Sequence, residues 1–277
     1  MLSVQAGDHV AASFDDDDGF AATTAWFVDQ GLRRRARVLV LAEARNVEPV
    51  RERLRAVCAD AVAAQRSGRL QLLDPHQVQL GTGRFDPAYL RESYAAAARQ
   101  AVDEGHTGLW VSVDMTWASP PVVPTDALVR FEAEANTLFA SGQLTAICQY
   151  GTRDFSGETI RRALSAHPHN AHGSTFRHHM TPDGTFLVVW GEVDLSNRDA
   201  WTVIVNATAT WGPVIDITAM TFLDVRAMTT LGWAAMTREH VTVVATPEQA
   251  RRLRLVCPAE LDRVTVEIRE PALRTIN

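Results

Sequence analysis

The chain has 277 residues, 46% of them hydrophobic, enough for a sizeable core in each of about two domains. Its net charge of −6 argues against a nucleic-acid binder, because neutralising phosphates takes a basic face. All 27 cationic residues are arginine, and without lysine there is no standard phosphate-loop NTPase, no Schiff base and no kinase-type lysine.

In chain order, HVAASF (9–14) predicts a strand, followed by Asp15 to Asp18 at the start of a helix, where carboxylates suit the dipole. The run Arg33, Arg34, Arg35 and Arg37 reads as the solvated end of that helix. RVLVLA (37–42) is a continuous apolar run, the pattern of a strand buried on both faces. A helix is expected over 47–65, then the strand RLQLLD (69–74). GTGRFDP (81–87) reads as a turn leading into a long helix, and GLWVSVDM (108–115) as another buried strand. The prolines at 120, 121 and 124 precede a helix whose apolar positions Leu128, Phe131, Ala135, Leu138 and Phe139 keep helical spacing. QLTAICQY (143–150) is a fifth strand, and ETIRRALSAH a closing helix. Repeated strand–helix units predict a mostly parallel sheet with helices on both faces.

Residues 166–175 read as a polar linker, which sets the domains at 1–166 and 176–277 with 167–175 between them. The second domain opens with a hairpin, FRHHM and FLVVWGEV around TPDGT. Then come a helix over 197–210, the strand PVIDI (213–217), a helix over 226–238, the strand VTVVAT (241–246), the helix PEQARRLRLV and the strand RVTVEI (263–268). The cysteines Cys58, Cys148 and Cys257 are far apart and read as reduced, buried thiols. No leader pattern and no membrane-length apolar run is present, so the expectation is a soluble cytoplasmic protein.

In the second domain, GEVDLSNRDAW followed by VIDITAMTFLDVRAMTTLGWAA resembles the STAS family of anti-sigma-factor antagonists. Gly191, Glu192, Val193 and Asp194 match one family motif; Phe222, Leu223 and Asp224 match the start of another, which continues Ser-Ser-Gly. Here Val225, Arg226 and Ala227 stand in those places. The resemblance implies a phosphorylation switch at a helix N-terminus, and Val225 and Arg226 carry no acceptor for it. Three readings stay open: a permanently unphosphorylated module that binds a partner, an anti-sigma factor of GHKL type above all; a switch moved to Thr218, Thr221, Thr229 or Thr230; or a docking or homodimerisation platform. Asp194, Asp224, Val225 and Arg226 are the candidate partner-binding residues.

In the first domain, HVAASFDDDDGF, GRFDP, GLWVSVDMTWA and CQYGTRDFSGETI together resemble the MEDS sensory family. The resemblance implies a RecA/KaiC-like fold without its nucleotide machinery and a role in sensing small hydrocarbon-like molecules. The residues agree on the nucleotide: four aspartates stand where a phosphate loop would follow the first strand, and Asp114 is left as a polar pocket group. Ligands of open parallel sheets bind outside the carboxyl ends of the strands. That rule selects Phe14, Glu43, Asp74, Asp114, Met115, Trp117, Cys148 and Tyr150, and the resemblance adds His9. This lining suits a small, largely apolar ligand.

No resident cofactor is expected; haem or a corrinoid ligated by His9 with Met115 or Cys148 is the competing reading. His167, His169, His172, His178 and His179 read as a solvated cluster, with a weak metal site as the alternative. No GxSxG, HExxH or HxE…PCxxC pattern occurs, so the expected class is a non-catalytic signalling regulator; a degenerate KaiC-like enzyme is the other class. No nucleic-acid or membrane partner is expected.

Overall fold

The computed structural model describes residues 4–170, 175–209, 211–258 and 263–270. The chain divides into two compact units, Met1–Leu164 and Ser165–Asn277.

The first unit holds five strands, β1 (His9–Phe14), β2 (Arg37–Leu41), β3 (Leu70–Leu73), β4 (Leu109–Asp114) and β5 (Leu144–Gly151). They run parallel in the order β3-β2-β4-β5-β1. Strands β4 and β5 are buried along their whole length, and the polar Gln149 within them donates to Ser112 Oγ at 3.0 Å. Successive side chains leave a strand on opposite faces, so each strand feeds two cores. Ala11, Val111, Val113, Ala146 and Cys148 belong to one; Val10, Phe14, Trp110 and Ile147 belong to the other. The second core is covered by α1 (Asp17–Arg33) and α2 (Ala44–Val57). The first is covered by α5 (Pro87–Asp103) and α6 (Thr125–Ala135).

The acidic run does what a helix start requires. Asp16 is the N-cap of α1, accepting from Gly19 N at 2.8 Å, with Asp17 and Asp18 in the first turn. The expected single helix over 47–65 is two, α2 and α3 (Ala61–Arg66), broken where Cys58 takes an extended conformation. A short helix, α4 (Pro75–Gln79), follows β3 and was not foreseen; Asp74 caps it. GTGR forms a turn with Gly83 at φ +81°. The helix expected over 125–140 ends as α6 at Ala135 and continues as a 3-10 turn, Asn136–Phe139. Helix α7 (Gly157–Ser165) closes the unit.

In the second unit, a two-residue strand β6 (His169–Asn170) precedes a five-stranded sheet in the order β11-β10-β9-β8-β7. Strands β7 (Phe176–Met180) and β8 (Phe186–Val193) form the expected antiparallel hairpin. β9 (Val214–Leu223), β10 (Val241–Ala245) and β11 (Val264–Ile268) add on in parallel. Strand β9 is ten residues long, running well past the five expected for PVIDI. Its alternation of buried Ile215 and Ile217 with half-buried Asp216 and Thr218 marks one packed face. That face meets α8 (Arg198–Asn206), α9 (Val225–Met236) and α10 (Pro247–Val256) through Trp201, Ile204, Leu231 and Leu253. Gly191 is obligatory in β8: its φ is +106°, and a Cβ there would lie 2.5 Å from Thr175 O.

His167 and His169 are buried, which corrects the expected solvated linker at those positions; His172 lies outside the described residues. His178 and His179 are neighbours on β7 and so leave it on opposite faces.

Candidate functional site

Between the sheet and its α5/α6 cover lies a small cavity of about 40 Å³. Strands β4 and β5 give it Val111, Val113, Leu144, Ala146 and Cys148; β1 gives His9. Helix α6 and its 3-10 extension give Phe131, Glu132, Ala135, Leu138 and Phe139. Met115 and Trp117 enter from the 3-10 turn after β4, Gln79 from α4 and Tyr94 from α5. The walls are mostly apolar, with polar groups collected at one corner.

That corner is built around His9. Its ring stacks on Phe139 at 4.2 Å and 9°. Its Nδ1 lies 2.8 Å from Asn136 Oδ1. Asn136 donates its amide nitrogen to Ala133 O at 2.9 Å, which fixes the amide so that Oδ1 faces the ring. The imidazole therefore carries its proton on Nδ1. Nε2 turns toward Glu132 Oε2 at 3.4 Å and Cys148 Sγ at 3.5 Å. Cys148 Sγ lies 3.8 Å from the same carboxylate oxygen, and the Tyr150 hydroxyl donates to Glu132 Oε1 at 3.1 Å. Burial first, then the charge of Glu132, pushes the Cys148 thiol and the Tyr150 hydroxyl well above their usual ranges. Burial does the same to Tyr94, whose hydroxyl accepts from Gln79 Nε2 at 2.6 Å. The Trp117 indole N–H is buried without an acceptor among the described residues.

Of the sequence-derived candidates, the structure gathers His9, Met115, Trp117 and Cys148 in the cavity wall. Tyr150 lies on the same sheet face, two residues beyond Cys148, and reaches the corner through Glu132. Phe14 and Asp114 leave the sheet on the other face. Phe14 packs on Phe20 at 5.2 Å; Asp114 accepts from Asn46 Nδ2 at 2.7 Å and from Thr116 N at 3.1 Å. Above the strand ends, Glu43 pairs with His76 at 2.9 Å and Arg45 with Asp154 at 2.9 Å. Burial raises the Glu43 carboxyl above the usual range. The C-terminal edge is thus a salt-bridged surface, and the cavity lies beneath it on one face.

Glu132, Asn136, Gln79 and Tyr94 were missed. Glu132 had a signal: it stands four residues after Leu128 and three before Ala135, a carboxylate inside the apolar stripe of α6.

In the second unit, Asp224 is the N-cap of α9, accepting from Ala227 N at 2.7 Å, a bond of about 1 kcal/mol. Asp194 accepts from Ser196 N at 2.8 Å and stiffens the turn after β8. Val225 is 63% exposed at the tip of α9, and Arg226 is exposed beside it. Between α8 and α9 runs an open groove with Arg198 and Arg226 among its residues, together with the exposed Trp233 and Met236. The nearby threonine hydroxyls are engaged: Thr229 and Thr230 donate to Arg226 O, Thr218 to Asp216 and Thr221 to Gly191 O.

The first unit is thus one parallel sheet between two layers of helices, with a mostly apolar cavity on one face. The model of the MEDS family, the methanogen/methylotroph, DcmR sensory domain, matches residues 8–168, and the chain belongs to that family. Among solved structures, the flagellar accessory protein FlaH from Methanocaldococcus jannaschii is similar over 64% of this chain and 74% of its own, with 10% identity and a TM-score of 0.42. The comparison with curated proteins gave no match. No described helix is long and apolar enough to cross a membrane.

Proposed function

We propose that the protein is a non-catalytic signalling regulator in the cytoplasm. On this reading the first unit keeps a RecA/KaiC-like frame without the phosphate loop and senses a small, largely apolar molecule. The observation that carries the reading is the cavity with mostly apolar walls and a polar corner at His9. Its volume of about 40 Å³ suits a small ligand. A haem or corrinoid is far larger than that, which disfavours the cofactor alternative. The second unit is a STAS-like module that binds an anti-sigma factor or another signalling protein without phosphate. The exposed Val225 and Arg226 at the α9 tip and the apolar–basic groove beside it support that part. A ligand moves such a regulator only as far as it favours one conformation over another.

Two measurements test the two halves. Metal-free full-length protein is heated in the presence of xenon, propane, ethanol or ethanethiol. At least one probe is expected to raise the unfolding midpoint, and Ala146→Leu or Ala135→Leu, which fill the cavity, to remove the rise. A rise left intact in both filled variants, or no rise with any probe, overturns the cavity reading. For the second unit, incubation with ATP and an anti-sigma kinase is expected to leave the intact mass unchanged. Stoichiometric addition of phosphate overturns the phosphate-free reading.

A further inference from the structure

We propose that His9 Nε2, a Glu132 carboxylate oxygen and Cys148 Sγ form a site for a divalent first-row transition metal, with zinc the best fit. The three ligand bonds stand on the geometry of these residues alone and do not rest on the function proposed above.

The distances carry the argument. Zinc bonds of about 2.0–2.1 Å to nitrogen and oxygen and about 2.3 Å to sulfur, set at tetrahedral angles, put N and O about 3.4 Å apart. The same geometry puts sulfur about 3.6 Å from either of them. The corner shows 3.4 Å for His9–Glu132, 3.5 Å for His9–Cys148 and 3.8 Å for Cys148–Glu132. The His9–Glu132 separation is longer than a good N–H···O hydrogen bond, which spans about 2.7–3.2 Å. All three match the edges of one face of a coordination tetrahedron.

The surroundings agree. Metal-binding histidines hold their other ring nitrogen on an acceptor, which fixes the tautomer that leaves a lone pair for the metal. Asn136 does this for His9, and its own amide is held by Ala133 O. The Tyr150 hydroxyl holds the other oxygen of Glu132, as ligating carboxylates are held. All three ligand residues are buried. A divalent ion with one thiolate and one carboxylate is a neutral set, which a buried apolar site accepts where a single charge is costly. The mixed nitrogen, oxygen and sulfur donors suit zinc and its neighbours rather than magnesium or calcium. Binding forms three metal–ligand bonds and releases the Cys148 thiol proton to solvent.

The chain is produced in cobalt-supplemented minimal medium, so that the ion enters during folding. About one cobalt per chain is expected, with a thiolate-to-cobalt band in the near ultraviolet and tetrahedral bands in the visible. Cys148→Ser is expected to abolish the thiolate band, and Glu132→Gln and His9→Gln to lower occupancy at least tenfold. Far-ultraviolet circular dichroism of each metal-free variant checks that it folds. Folded wild-type protein without cobalt, or a cobalt spectrum indifferent to Cys148→Ser, overturns the metal site. The metal-free cavity measurement above separates failure of the cavity reading from failure of the metal site.

Discussion

Replacing Trp117 with alanine is expected to destabilise the first unit by about 3–5 kcal/mol, the usual cost of emptying a buried aromatic site. Trp117 is 1% exposed, packs against Phe85 at 6.0 Å between ring centres and forms part of the cavity wall. Its loss merges the space of an indole with the cavity, and apolar engineered cavities of that kind stay dry and bind aromatic rings. Added indole is therefore expected to raise the unfolding midpoint of Trp117→Ala and to leave the wild type unmoved. Trp117→Phe separates the ring from its N–H. That N–H is buried without an acceptor among the described residues, a penalty of about 1–3 kcal/mol that phenylalanine removes. Trp117→Phe is thus expected to lie within about 1 kcal/mol of the wild type, since the relieved donor offsets the lost area. A large loss in Trp117→Phe, with no indole rescue of Trp117→Ala, would contradict this account of the wall.

The second large effect belongs to Trp201. It is fully buried in α8, meets Phe176 edge-on at 5.9 Å and donates its Nε1–H to Ala227 O at 3.0 Å. Ala227 lies in the first turn of α9, so this side chain fastens one wall of the α8–α9 groove to the other. Trp201→Ala is expected to cost about 3–5 kcal/mol in urea unfolding. Trp201→Phe keeps a ring against Phe176 but loses the hydrogen bond, at about 1–2 kcal/mol. A change below about 1 kcal/mol for alanine would mean that the neighbouring helices collapse into the space.

How far the sequence speaks differs between elements. Strands β4 and β5 are legible as predominantly apolar segments, because a strand covered on both faces has little polar side to show. The hairpin of β7 and β8 is equally plain, since its turn carries its own chemistry: Asp183 accepts from Thr185 N at 3.1 Å and from Thr181 Oγ1 at 2.6 Å. The break after α2 and the short α4 were hidden, because both rest on local packing that no period records.

For the site, the chain order supplied a set of residues near strand ends but not their sides. His9 and Cys148 face the cavity, whereas Phe14 and Asp114 face α1 and α2, by the two-residue alternation of a strand. Glu132 was passed over within its helix as one polar residue in an apolar stripe. Only the packing of α6 on β5 brings it to Cys148 and Tyr150.

By itself the sequence determined the composition of this protein's chemistry. It holds no lysine for phosphates, no hydroxyl at the tip of α9, and apolar runs enough for a parallel sheet. Those are properties of residue identity and short-range period. The tertiary structure alone decided that His9, Glu132 and Cys148 meet, because residues 123 and 139 positions away from His9 in the chain become neighbours only when β1 pairs with β5 and α6 closes over both. Such contacts depend on register and face, which no local pattern encodes.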